Sequence, residues 1–115
     1  MAVSVTIWHN PRCSKSRQTL ALLQDRGIEP TVRLYLDDAP SAAELAQALD
    51  LLGLAPSGLI RKGEAEFKEL GLKEASEDAI LAAMAAHPRL IERPVVFANG
   101  RAALGRPPEA VLDIL

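Results

Sequence analysis

The chain has 115 residues, of which 49% are hydrophobic, a formal net charge of −2 and a single cysteine. This length accommodates one hydrophobic core, the apolar content excludes a disordered chain, and the charge excludes an overall basic field for nucleic acid. A lone cysteine excludes an internal disulfide framework and is typical of a reducing compartment. No apolar run reaches the roughly 20 residues that span a bilayer, and the run ending at Trp8 is too short for a secretory signal. We therefore expect one domain over residues 1–115, located in the cytoplasm.

The first elements along the chain predict a βαβ unit. Apolar and polar residues alternate over Val3–Ile7, which is the period of a strand, and Pro11 ends this pattern. A helix is predicted to begin near Cys13 or Ser14, with Ser14 as its N-cap. Alternation resumes over Thr31–Leu36 and predicts a second strand. The residues predicted to share one face of this second strand are Val32, Leu34 and Leu36.

A helical insert is predicted next, at about residues 41–87. Ser41–Glu44 has the pattern of a capping box, in which the serine and glutamate side chains each satisfy a free backbone donor. Gly53 is expected to end that helix. Glu64–Leu70 predicts a short helix, and Ser76 is expected to cap a further one.

The last third of the chain predicts a hairpin and a final helix. Pro94–Ala98 and Arg101–Leu104 flank Asn99-Gly100, a dipeptide that tolerates the positive φ angles of a tight hairpin turn. Pro107 is expected near the first position of the final helix. The residues predicted on its buried face are Val111, Leu112 and Leu115. The order of elements resembles the thioredoxin-like α/β fold, with a four-stranded mixed sheet and helices on both faces.

The segment His9–Arg17 holds the lone cysteine, Cys13, in a polar turn between the first strand and the first helix. The segment also carries Arg12, Lys15 and Arg17 but no acid. Positive charge and the free N–H groups of a helix start favour a thiolate, the reactive form of cysteine. The same features attract anions. The segment therefore predicts a nucleophilic thiolate beside an oxyanion site, although the three cations equally suit a solvated helix face.

Two spacings limit what Cys13 can do. A dithiol of the thioredoxin type needs a second cysteine at position 16, where this chain has Ser16, so a redox cycle requires a thiol from another molecule. A tyrosine-phosphatase loop needs arginine six residues after the cysteine, where this chain has Thr19. Ser16 is predicted either to hydrogen-bond the thiolate or to act only as a first-turn helix residue. His9 is predicted either to tune Cys13 or to fill the end of the strand.

Four motifs, in the same order, resemble those of the ArsC family of glutaredoxin-coupled arsenate reductases. They are His9-Asn10-Pro11-x-Cys13-x-x-Ser16-Arg17-x-Thr19-Leu20, Leu59-Ile60-Arg61-Lys62, Glu92-Arg93-Pro94-Val95-Val96 and Gly105-Arg106-Pro107-Pro108-Glu109. The resemblance implies that Cys13 attacks arsenic and that His9 and Ser16 tune its thiolate. It further implies that three arginines bind the oxyanion, and that Pro94 follows a cis peptide bond. These three arginines are Arg61, Arg93 and Arg106.

The resemblance also implies the partners of the reaction. These are arsenate or a similar oxyanion, glutathione as co-substrate, and glutaredoxin. The expected protein is a monomer with no metal site, no bound cofactor, no nucleic-acid partner and no membrane association. The charged neighbours of Cys13 differ from the smaller residues of the best-known reductases, and the chain resembles a short subgroup of the family.

Other functions remain compatible with the same residues. A glutathione-linked thiol transferase would need Cys13 and a thiol donor, but no arginine cage. A regulator of the Spx type, which binds RNA polymerase, shares the fold, although members with a redox switch use a second cysteine where this chain has Ser16. Because phosphate and sulfate resemble arsenate in shape and charge, we expect them to occupy the same site without reacting.

Overall fold

The computed structural model describes residues 4–115, so Val3 of the predicted first strand lies outside the described residues. The chain divides into two compact units, one formed by the residues up to Asp38 together with Arg93–Leu115, the other by Ala39–Glu92. Within residues 4–115, no helix combines the length and apolar character that crossing a membrane requires.

The first unit contains a mixed β-sheet. The strands in the described part of the chain are β1 (Val5–Trp8), β2 (Thr31–Arg33), β3 (Val95–Ala98) and β4 (Arg101–Leu104). Their order in the sheet is β2-β1-β3-β4, with β1 parallel to β2, antiparallel to β3, and β3 antiparallel to β4. The predicted thioredoxin-like α/β class with a four-stranded mixed sheet is confirmed.

A C-terminal 3₁₀ helix (Pro108–Ile114) packs against β3, β4 and helix α1 (Ser14–Asp25), and Leu23 of α1 shares a core with β1 and β3. The buried side chains between them come from alternate positions of β1 and β3, because successive strand residues point to opposite faces. The core they form includes Ile7, Leu23, Val96 and Val111. It supports the ends of β1 and β3, where the candidate site lies.

The second strand is shorter than predicted. β2 ends at Arg33, since the carbonyl of Leu34 accepts the N–H groups of Asp37 and Asp38, both at 2.9 Å, and turns the chain. The prediction of a strand to Leu36 was therefore wrong. Tyr35 is fully buried, whereas Val32, Leu34 and Leu36 are 37–42% exposed.

The final helix differs from the prediction in type and in buried face. It is a 3₁₀ helix in which Pro107 is the N-cap and Pro108 the first residue. Three residues per turn place every third residue on one side. The buried residues are accordingly Pro108, Val111 and Ile114, whereas Leu115 is 38% exposed.

The predicted hairpin and caps are confirmed. Asn99 and Gly100 have φ angles of 56° and 71° between β3 and β4. Ser41 and Glu44 form both bonds of the capping box, and Gly53 ends that helix in the left-handed conformation. Ser76 accepts a hydrogen bond from the N–H of Ala79.

The second unit is mainly helical. Its α-helices are α2 (Ala42–Leu52), α3 (Pro56–Leu59), α4 (Ala65–Glu69) and α5 (Glu77–Ala86), and its 3₁₀ helices are Leu72–Glu74 and Pro88–Leu90. α5 packs with α2 and α3. An antiparallel bridge joins Ile60, which follows α3, to Ile91, which lies next to Glu92, the last residue of this unit.

Candidate active site

The turn between β1 and α1 is held by its own backbone and by Asn10. The Asn10 side-chain oxygen accepts the N–H of Arg12, and the Asn10 carbonyl accepts the N–H of Cys13, both at 3.0 Å. Pro11 occupies the turn between them, where its restricted φ angle is favourable. The turn places Cys13 at the N-cap of α1. Ser14, which was predicted to be the N-cap, is instead the first helical residue.

His9 and Ser16 meet under this turn. The Ser16 hydroxyl lies 2.7 Å from His9 Nδ1 and accepts the backbone N–H of Asn10 at 3.0 Å, and all three residues are buried. Burial, and then the charge of Arg17, lower the pKa of His9, which favours neutral imidazole. A neutral His9 can accept the Ser16 hydroxyl proton at Nδ1. The pair ties the turn to the first turn of α1.

The environment of Cys13 favours its thiolate. Burial raises the pKa of the partly buried Cys13 thiol. Two opposing effects outweigh burial, so that the net shift of the pKa is downward: hydrogen bonds from the backbone N–H groups of Ser16 and Lys15, and the charges of Arg93 and Arg106. The N–H groups belong to the start of α1, where no earlier carbonyl in the helix accepts them. The cations responsible are distant in sequence, whereas the local charge pattern predicted that Arg12, Lys15 and Arg17 would have this effect.

Arg93 and Arg106 lie at the same edge of the sheet as Cys13. Arg93 precedes β3 and is only 8% exposed, and Arg106 follows β4. The Arg106 Nε donates to the Arg93 carbonyl at 3.1 Å, which ties the two segments together. In residues 4–115 the cis peptide bonds are Arg93–Pro94, as the resemblance implied, and Arg106–Pro107, which was not expected.

Gly105 permits a close approach of the segment that carries Arg106. Its N–H donates to the Pro94 carbonyl at 2.9 Å. A Cβ at position 105 would collide with the Thr19 hydroxyl and lie 2.6 Å from Pro94 Cγ. The residue before Arg106 must therefore lack a side chain for the segment to rest against α1 and the start of β3. The Gly-Arg-Pro sequence was the available signal, but nothing in it identified the contacts.

The cations within the Cys13 turn are arranged differently. Arg17 donates to the Pro11 carbonyl at 2.8 Å and braces the turn. The side chains of Arg12 and Lys15 are exposed. Lys15 influences Cys13 through its backbone N–H, an effect that depends on helix geometry and that its residue type did not indicate.

Arg61 belongs to the second unit. Its Nε lies 3.2 Å from a Glu64 carboxylate oxygen and 3.6 Å from one of Glu92. Its backbone N–H donates to the Leu90 carbonyl at 2.7 Å. Two carboxylates thus surround this guanidinium, a setting that suits a structural ion pair as well as a binding role.

Comparisons with known proteins agree with the motifs. The model of the ArsC family matches residues 8–114. The chain is 49% identical over 114 residues to an arsenate reductase of Neisseria meningitidis serogroup A, covering 96% of this chain and 97% of that one. It is 50% identical over 118 residues to the uncharacterized protein YfgD of Escherichia coli K12, covering 100% and 99%. An arsenate reductase structure from Vibrio cholerae superposes with a TM-score of 0.96 at 53% identity over 100% of both chains. On these grounds the chain belongs to the ArsC family.

Proposed function

We propose that this protein reduces arsenate to arsenite, using glutathione and glutaredoxin as reductants and Cys13 as the nucleophile. The observation that carries the proposal is the anion-stabilising surroundings of Cys13: helix-start N–H groups and the charges of Arg93 and Arg106 favour its thiolate. A thiolate attacks an electrophilic centre, whereas a thiol does not. Close relatives are named arsenate reductases, which supports arsenate as the substrate.

The first half of the proposed reaction binds arsenic to two sulfurs. The Cys13 thiolate forms a sulfur–arsenic bond, and one arsenate oxygen leaves as water after taking up protons. Glutathione forms a second sulfur–arsenic bond, and another oxygen leaves as water. No electrons have yet reached arsenic, which remains arsenic(V).

The second half of the proposed reaction transfers the electrons. A glutaredoxin thiolate attacks the glutathione sulfur of the adduct and forms a glutaredoxin–glutathione disulfide. The electron pair of the broken sulfur–arsenic bond stays on arsenic, which becomes arsenic(III). Water then displaces Cys13, and arsenite leaves. Arsenic(V) accepts this pair readily while phosphorus(V) does not, so phosphate and sulfate should act only as competing ligands.

The arginines are proposed to bind the oxyanion. Guanidinium groups match an oxyanion because they offer several hydrogen-bond donors in one plane. Arg93 and Arg106 have charges that act on Cys13, and they are assigned to binding the oxyanion that Cys13 attacks. Arg61 is assigned to binding the oxyanion or a later intermediate, and for that role it would have to give up its ion pairs with Glu64 and Glu92.

His9 and Ser16 are assigned to positioning the turn that carries the thiolate.

The test is arsenate-dependent oxidation of NADPH in the presence of glutathione, glutaredoxin and glutathione reductase. We expect turnover by the native chain and none above background by Cys13→Ser. We further propose that the enzyme is a monomer and acts in the cytoplasm. Deglutathionylation of a model disulfide is measured in parallel. If arsenate gives no turnover while deglutathionylation proceeds, the protein is a thiol transferase and the proposal fails.

A further inference from the structure

A groove of about 300 Å³ lies beside the Cys13 turn, in the first unit. The segment His9–Arg12 forms one side of it, and Leu34, Leu36 and Asp37, from the turn after β2, form the other. Its volume is at the lower end of the range for small-molecule sites. The groove is therefore sized for a small ligand and not for a folded partner.

The sheet places this groove on the opposite flank of the turn from the two arginines. β1 leads into the Cys13 turn and lies between β2 and β3. Because β1 and β2 are parallel, the segments that follow them leave at the same edge of the sheet, where Arg93 enters the antiparallel β3. Neighbouring strands are about 4.8 Å apart. Cys13 thus has the arginines on its β3 side and the groove on its β2 side.

The groove offers three kinds of contact. Arg12 supplies a cation and Asp37 an anion, and both residues are exposed. Leu34 and Leu36 supply apolar walls and are 41% and 37% exposed. A complementary ligand carries an ammonium group and a carboxylate separated by an uncharged, partly apolar segment. Glutathione has this composition, with one ammonium, two carboxylates and a peptide chain that carries its thiol.

We propose that this groove binds glutathione, with Arg12 holding a carboxylate, Asp37 the ammonium group, and Leu34 and Leu36 contacting the chain between them. The assignment rests on the proposed function for the need of a glutathione molecule, but its site is deduced from the groove alone. Arg12 directly precedes Cys13, and neighbouring Cα atoms are about 3.8 Å apart. A ligand held there reaches the cysteine without occupying the side that the arginines leave for an oxyanion.

Binding is tested with S-methylglutathione, which has no free thiol, and the Cys13→Ser chain, so that no covalent exchange occurs. Amide chemical-shift changes on titration are expected at residues 9–12 and 34–37. In this background Arg12→Gln and Asp37→Asn should each weaken binding about tenfold, because a charge-assisted hydrogen bond is lost. Arg26→Gln is the matched control, since it removes an exposed cation that does not line the groove. Shifts confined to the β3 and β4 side, unchanged affinity in both groove variants, or no binding at millimolar probe would overturn the proposal.

A second measurement separates this proposal from the proposed function. In the coupled assay Asp37→Asn should raise the KM for glutathione about tenfold and leave the KM for arsenate unchanged. A rise in the KM for glutaredoxin alone would identify the groove as a protein-docking surface and would overturn the assignment. If the native chain does not turn over arsenate but the groove still binds the probe, the reductase function fails and the glutathione site stands.

Discussion

The two helices that begin at Cys13 and Ser41 use their N-termini in opposite ways. Both N-cap residues have extended backbone angles, with φ of −96° and −70°. At Ser41 the hydroxyl and the Glu44 carboxylate satisfy the backbone donors. The Cys13 side chain makes no capping hydrogen bond, and the N–H groups of Ser16 and Lys15 stabilise negative charge on its sulfur. The same backbone donors thus either stabilise a helix or prepare a nucleophile.

The largest expected effect comes from making the first helix start resemble the second. Cys13→Ser replaces a weak cap by a favoured one, so we expect complete loss of arsenate turnover together with a gain of about 0.5–1 kcal/mol in the free energy of unfolding. The coupled assay and urea denaturation measure the two quantities. A variant that retains turnover, or that loses stability at pH 6, would contradict the comparison.

The stability difference between these two chains should depend on pH in a defined direction. The pKa of Cys13 is lower in the folded chain than its ordinary value of 9.0. The thiolate therefore stabilises the native fold above about pH 9, and this contribution is lost as the pH falls through the folded pKa. The advantage of Cys13→Ser over the native chain should shrink between pH 6 and pH 9. A constant or growing difference would mean that the fold does not favour the thiolate.

The next effect tests the contribution of distant charge to the first helix start. Arg106→Gln removes one cation that lowers the pKa of Cys13, so alkylation by iodoacetamide should be slower at pH 7 and its pH profile should shift upward. Arsenate kcat/KM should fall about a hundredfold if the same group binds the transition state. Arg26→Gln, which changes an exposed arginine at the other end of α1, should alter neither value. An unshifted alkylation profile would mean that the backbone donors and Arg93 lower the pKa of Cys13 without a contribution from Arg106.

A smaller effect is expected from moving the Arg106 segment without changing its charge. Gly105→Ala places a methyl group against Thr19 and Pro94 and should cost about 1–3 kcal/mol of stability. The alkylation profile should shift in the same direction as in Arg106→Gln. Gly63→Ala is the matched control, since a Cβ there meets nothing within 4 Å and the residue has no positive φ. Equal thermal stability of the two variants would show that the close approach at Gly105 is not required.

The smallest effect is expected at the second helix start. Ser41→Ala removes the hydroxyl that accepts the Glu44 N–H at 3.1 Å and should cost about 1 kcal/mol. That corresponds to a fall of about 4 °C in Tm for a chain of this size. Alkylation of Cys13 should remain unchanged, because this cap has no part in the Cys13 turn. Slower alkylation in Ser41→Ala would show that the two helix starts are coupled.

Features that depend on neighbouring residues could be predicted from the sequence. The capping box at Ser41–Glu44, the turn at Asn99-Gly100 and the lone cysteine at the start of a helix were all predicted from local pattern, and the structure has all three. Each depends on bonds between residues a few positions apart. The order of strands and helices followed from the same local signals and was sufficient to predict the fold class.

Only the fold brings together the groups that act on Cys13, and it also determines where β2 ends. The charges of Arg93 and Arg106 reach Cys13 because the antiparallel β3 and β4 return to the edge of the sheet where β1 ends. β2 ends at Arg33, opposite Trp8 at the end of β1, because the backbone turns at Leu34. Such contacts join segments about ninety residues apart, as from Cys13 to Arg106, and no local pattern records them. The sequence thus supplied the nucleophile, and the fold supplied its surroundings.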